Sequence, residues 1–106
     1  MISRASIRHY VDAIVREFQP ERVVLFGSYA MGTQHQDSDV DLLVVMSHSG
    51  PAAEQAARIR RRISAGFPLD LIVRSPRTIR QRLQLGDQFL KTVLEHGKVL
   101  HEAAHP

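Results

Sequence analysis

Apolar residues recur along this chain at two different spacings, and the switches between them mark its elements. Ile7, Val11, Ile14, Val15 and Phe18 fall at three- and four-residue steps. That spacing predicts one apolar face of an opening helix, with Ser3 or Ser6 as its cap and Pro20 as its stop. Residues 22–26, 40–46 and 68–73 are short aliphatic and β-branched runs, too short for helices and therefore read as buried strands. Ala56, Ile59 and Ile63 place a second amphipathic helix between the last two strands, ended by Gly66. Ile79 and Leu83, then Phe89, Leu90, Val93 and Leu94, predict two helical pieces broken near Gly86. Residues 98–100 predict a last short strand, and residues 101–106 a frayed tail. This order gives an α/β (α+β) fold, a small mixed sheet with helices packed against it.

The chemistry sits where strands meet turns. The first strand ends at Gly27, where a residue without Cβ lets a ligand approach the backbone closely. Ser28 is read as the N-cap of a short helix, Tyr29-Ala30-Met31, with Gly32 as terminator. A helix N-terminus presents unpaired N–H groups and a partial positive charge, which suits an anion such as a triphosphate.

Ten residues separate Ser28 from Asp39, and Asp39-Val40-Asp41 opens the second strand. Side chains two apart on a strand project from the same face, so the two carboxylates stand a few ångström from each other. They repel unless a cation lies between them. Hard oxygen donors in such a pair suit Mg²⁺, which uses one or two carboxylates together with substrate phosphates and waters. Asp70 lies inside the third apolar run, an expensive place for a lone carboxylate. If that strand neighbours the second, Asp70 joins the pair as a third metal ligand and as acceptor of a nucleophile's proton.

Bland readings of the same residues are weaker. A Gly-Ser pair alone is an ordinary turn, and one aspartate at a strand start is usually a solvated turn residue. A calcium loop starting at Asp37 would need glycine sixth and glutamate twelfth, but those positions hold Leu42 and His48. The spacing, the strand context and Asp70 together favour the metal-site reading.

The strings Leu25-Phe26-Gly27-Ser28-Tyr29-Ala30-Met31-Gly32 and Ser38-Asp39-Val40-Asp41-Leu42-Leu43-Val44, with Asp70 beyond them, resemble the DNA polymerase β-type nucleotidyltransferase superfamily. Within it the chain looks most like the minimal nucleotidyltransferase (MNT) antitoxins that pair with HEPN-domain toxins, over nearly its whole length, down to residues 89–100. The resemblance implies one minimal nucleotidyltransferase domain over residues 1–106. It implies that Gly27 and Ser28 hold the triphosphate of ATP or another NTP, and that Asp39, Asp41 and Asp70 bind two Mg²⁺ ions and carry catalysis. It also implies transfer of AMP to a hydroxyl of a partner HEPN toxin, silencing the toxin, in a hetero-oligomer. Met31 departs from the pattern, since many relatives carry arginine or lysine there, and removes a positive contact to phosphate.

Composition changes this picture little. With 106 residues the chain has room for one core. Twelve arginines and two lysines against eleven acids give a net charge of +3, with Arg58, Arg60, Arg61 and Arg62 clustered on one helix. Such a run is most simply a solvated face; an acidic partner is the competing reading, and RNA is disfavoured because no aromatic residues interleave with the arginines. The six histidines show no metal-ligand spacing, and only His35 lies near the presumed site. A solvent-exposed loop position is its simplest reading, with a nucleotide contact as the other. The absence of cysteine excludes disulfides and cysteine-zinc sites, and charges from Arg4 to Glu17 interrupt every apolar run. The expectation is a cytoplasmic protein without signal peptide or membrane span.

Two other functions compete with protein modification. The same fold could neutralise a toxin by binding alone, but three clustered carboxylates are costly to keep for that purpose. It could instead transfer nucleotides to a small molecule or an RNA end, but the chain lacks the extra structure that larger superfamily members use to hold such acceptors.

Overall fold

A computed structural model describes residues 1–104. Five helices and four strands follow in the order α1 (Arg4–Phe18), β1 (Arg22–Phe26), α2 (Ser28–Met31), β2 (Val40–Val45), α3 (Ala52–Arg62), β3 (Leu69–Arg74), α4 (Pro76–Gln84), α5 (Gln88–His96) and β4 (Lys98–Glu102). The sheet order is β3-β2-β1-β4. β1 pairs antiparallel with β2 and with β4. β2 and β3 pair in parallel, which requires a crossover, and α3 supplies it. The sheet is therefore mixed, as the element order implies.

Helices cover both faces. Val23, Leu25, Leu42 and Val44 pack with Ile7, Tyr10, Val11 and Ile14 of α1 and Ala56 and Ile59 of α3. On the opposite face Val24, Leu43 and Val45 pack with Ile79, Leu90 and Val93 of α4 and α5. This double cover explains why residues 42–45 are apolar without alternation. Among the described residues no helix is long and apolar enough to cross a membrane.

Local chemistry sets the helix ends, in places differently from the sequence reading. Ser3, rather than Ser6, caps α1 and accepts a hydrogen bond from the Ser6 N–H at 3.0 Å. Gly27 takes the N-cap position of α2, and Ser28 is its first helical residue. The reason is conformational: Gly27 has φ 71° and ψ −154°, a region open essentially to glycine alone. Helix α3 stops at Arg62 with Ile63 as an extended C-cap, so Gly66 lies beyond its end. Ile63 continues the apolar period as a residue packed on the core from outside the helix.

The expected frayed tail needs the largest correction. His101 and Glu102 belong to β4 and pair with Val23 and Arg22 of β1, and the Ala103 N–H donates to Glu21 O at 2.8 Å. The register slips between Val23 and Val24, and this irregular edge strand is half exposed, which erased any clean alternation from its sequence. His105 and Pro106, the end of that expected tail, lie outside the described residues.

Candidate active site

Backbone pairing builds the site. Asp41 is opposite Phe26 on one side and opposite Asp70 on the other, so the end of β1 and the two aspartates form one row across three strands. Phe26, Leu43 and Ile72 belong to the core under α4 and α5. Strand alternation puts Asp41 and Asp70 on that same face, at the end of the sheet where β1 finishes and β2 and β3 begin. Gly27 follows directly: a Cβ there would overlap the Asp41 carboxylate. The glycine is thus required twice, by its backbone angles and by this contact.

Asp39 lies one residue before β2 and is exposed. It still acts on its neighbour. Burial, then the negative charges of Asp70 and Asp39, then hydrogen bonding to Asp70 all raise the Asp41 pKa above the ordinary carboxylate value. Repulsion of this kind marks a place where a cation would be welcome. Asp70 is exposed on the edge strand β3, open to a group arriving from solvent.

The turn after β1 completes the row. The N–H groups of Ala30 and Met31 both donate to Gly27 O at 3.1 Å. Those of Ser28 and Tyr29, at the first two positions of the helix, have no intrahelical acceptor by position. Gly32 closes α2 in the left-handed conformation, φ 76°. Tyr29 ties this turn to the chain start, its hydroxyl accepting from the Ile2 N–H at 3.0 Å.

His35 shapes the approach to Asp39. Its N–H donates to Ser38 Oγ at 2.9 Å, and its Nδ1 accepts from the Asp37 N–H at 3.2 Å. It is exposed and fixes a turn. The arginine cluster on α3 is similarly engaged: Arg58 donates to Gln55 at 2.6 Å, Arg60 to Leu69 O at 2.7 Å, and Arg62 pairs with Glu17 at 3.2 Å. The Arg60 and Arg62 contacts tie α3 to β3 and α1, the Arg58 bond lies within the helix, and all four arginines are exposed, in keeping with a solvated face.

Residues 7–101 match the family model described as nucleotidyltransferase domain. The chain belongs to this nucleotidyltransferase family. A Methanocaldococcus jannaschii protein named "putative protein adenylyltransferase" is 26% identical over 103 residues, covering 95% of this chain and 100% of its own length. A crystal structure described as a toxin-antitoxin with AMP-PNP has a TM-score of 0.58 at 24% identity, covering 91% of this chain and 73% of the other. A crystal structure described as a "putative nucleotidyltransferase" from Sulfolobus solfataricus also gives 0.58 at 24% identity, over 73% of this chain and 70% of its own. A mutant of the toxin-antitoxin MntA-HpeT gives 0.57 at 19% identity, over 91% and 73%. These likenesses establish the nucleotidyltransferase fold.

The donor set accommodates Mg²⁺ only in one manner. Among the described residues no three His, Cys, Asp or Glu side chains group into a ready metal cage. Asp41 and Asp70 are paired in register, with Asp39 in electrostatic reach. Mg²⁺ needs only one or two carboxylates when phosphates and waters complete its shell. The row therefore fits a metal that arrives with a phosphate-bearing substrate.

Sequence reasoning missed Phe26 and Phe89. Their rings meet edge to face, 5.6 Å apart at 87°, immediately beside Gly27. The residues are far apart in sequence, so no local pattern announced the contact.

Proposed function

We propose that this nucleotidyltransferase, acting as a single minimal domain in the cytoplasm, moves AMP from ATP onto a hydroxyl of a partner protein, and that the partner is an HEPN toxin neutralised by the modification. The observation that carries the reading is the row formed by Gly27, Asp41 and Asp70 at one end of the sheet. The M. jannaschii relative, whose name is that of a protein-modifying adenylyltransferase, supports the reaction class. The toxin-antitoxin structures, one of them with AMP-PNP, support a toxin as partner and an adenine nucleotide as substrate.

In this reading Asp39, Asp41 and Asp70 hold two Mg²⁺ ions. Bound there, the ions would spread the charge of the phosphates and lower the pKa of the acceptor hydroxyl. The chain's own groups do the rest. Ser28 and the N–H groups at the start of α2 hold the triphosphate beside Gly27, whose missing side chain lets the Asp41 carboxylate close against the turn. Asp70, exposed on its edge strand, receives the proton of the attacking hydroxyl. The oxygen attacks the α-phosphorus in line, the bond to the bridging oxygen breaks, and pyrophosphate leaves. In this reading the acceptor hydroxyl belongs to a separate protein and reaches the row in trans.

The test is incubation of the protein and the product of its neighbouring gene with each α-³²P-labelled NTP and Mg²⁺, beside an Asp39→Asn/Asp41→Asn control. Label on the neighbour, with ATP preferred and absent from the control, is the expected result. Tight binding of the two proteins without label would replace this reading by an antitoxin that acts through binding. Label on an RNA end or a small molecule would replace it by transfer to those acceptors.

A further inference from the structure

The carboxylate row uses one face of the sheet, and a cavity of about 410 Å³ opens on the other. It lies behind α2, between the start of α1 and the adjoining ends of β1 and β4. Leu25 of β1 packs in the core under α1 and α3, whereas Phe26 belongs to the face under α4 and α5 that also carries Asp41. Lys98 is paired with Leu25 across the β1–β4 ladder, so its side chain leaves the sheet on the α1 side. The sheet therefore separates this cavity from the row.

The lining is chemically lopsided. Arg4, Arg8 and Lys98 all border the cavity, and no acidic residue does. Arg8 donates to Leu100 O at 2.7 Å, which fixes its guanidinium at the wall. Its one ion pair among the described residues, with Asp12 at 3.8 Å, is half exposed and offsets little of the charge. Arg4 and Lys98 have no ion-pair partner among the described residues. Two polar groups in the wall also have hydrogen-bonding capacity to spare. Gln34 Oε1 is buried without a partner among the described residues, a costly state for an acceptor. Tyr29 is 8% exposed; its hydroxyl accepts from the Ile2 N–H at 3.0 Å and keeps its own proton to donate.

This set selects a ligand class. Three cations without a lining acid suit a phosphate, which as a monoester carries close to two negative charges at neutral pH. The volume falls within the usual range of ligand sites, about 300–1,000 Å³, and Ile7, Leu25 and Leu100 give an apolar floor, so the phosphate comes with an organic body. Gln34 Oε1 calls for a hydroxyl on that body. We propose that this cavity is a separate binding site for a small phosphomonoester that carries hydroxyl groups. The site uses none of the carboxylates and does not depend on the transferase reading.

Amide chemical shifts of ¹⁵N-labelled protein test the site, in titrations without Mg²⁺ with ribose 5-phosphate and glycerol 3-phosphate, beside ribose and inorganic phosphate. At least one of the two phosphomonoesters should bind saturably and more tightly than ribose or inorganic phosphate. The amides of Gly32, Gln34, Lys98 and Leu100 and the Gln34 side-chain NH₂ should move, with Asp41 and Asp70 unmoved. Arg4→Gln and Lys98→Gln, at exposed positions, should each weaken binding about tenfold, as loss of one hydrogen bond to a charged group does. Arg61→Gln, on α3 and outside the cavity lining, should leave affinity unchanged, and the spectra themselves show that each variant is folded. Absence of saturable binding, phosphomonoesters held no more tightly than inorganic phosphate, or shifts centred on Ser28, Asp41 and Asp70 would overturn the site. Unchanged affinity in both Arg4→Gln and Lys98→Gln, or an equal loss in Arg61→Gln, would overturn it as well, the latter by showing attraction to the net positive charge alone.

Discussion

Asp41 on β2 stands directly opposite Asp70 on the parallel strand β3, and burial together with the charges of Asp70 and Asp39 raises its pKa. A raised carboxyl pKa means that the fold penalises the charged form. The stability concerned is fully present below the unfolded value, near 4, and is lost as pH rises through the higher folded value. Asp41→Asn removes that penalty. Its melting temperature should lie a few degrees above wild type at neutral pH, with the gap closing as pH falls toward about 4. Melts across the pH range check this, and a variant that melts below wild type at neutral pH would contradict it.

Gly27→Ala combines two faults. The new Cβ overlaps the Asp41 carboxylate, and φ 71° with ψ −154° is a conformation alanine avoids. Urea unfolding should show a loss of about 1–3 kcal/mol, and transfer activity should fall with it because Asp41 is displaced. Wild-type stability in the variant would show that the β1–α2 turn relaxes freely.

Ser28→Ala tests the triphosphate end separately. Ser28 is the first residue of α2 and is partly exposed, so the fold should tolerate the change. Nucleotide affinity should weaken by about 1.5–3 kcal/mol, the worth of one hydrogen bond to a charged group, with tripolyphosphate weakened equally. Unaltered affinity for both ligands would remove Ser28 from the site.

Asp87 caps α5, the helix that carries Phe89 and Thr92, by accepting from the Leu90 N–H at 3.0 Å. That backbone bond, and then the Arg82 guanidinium, lower its pKa. A lowered value contributes stability above the unfolded pKa that is lost as pH falls through the folded one. Asp87→Ala should therefore melt below wild type at neutral pH, with the difference shrinking under acid conditions. A difference independent of pH would show that the carboxylate charge plays no part in the cap.

Much of this site was legible because its residues are close in sequence or lie at strand ends. Gly27 and Ser28 end one apolar run, Asp39 and Asp41 open the next, and strand alternation relates their directions. The placement of Asp70 depended on which strands are neighbours, which the sequence left conditional and the parallel β2–β3 pairing supplies. The strand character of His101 and Glu102 was hidden because β4 lies at the sheet edge, where neither face is fully buried and these two residues read as the start of a polar tail. The cap of α2 was displaced by one residue because serine has the usual capping side chain, whereas Gly27 holds the position through backbone angles. The Phe26–Phe89 contact beside it was invisible because the two rings meet only once α5 has folded back onto β1.

The central claim is that the row of Gly27, Asp41 and Asp70 directs attack on the α-phosphorus of a nucleotide by a hydroxyl of a partner protein. Parallel reactions with α-³²P-ATP and γ-³²P-ATP, followed by gel analysis of the partner, test it most directly. The account predicts label on the partner from the α-position only, with γ-label recovered in pyrophosphate and no transfer by Asp41→Asn. Label transferred from the γ-position, or full transfer by Asp41→Asn, would contradict it.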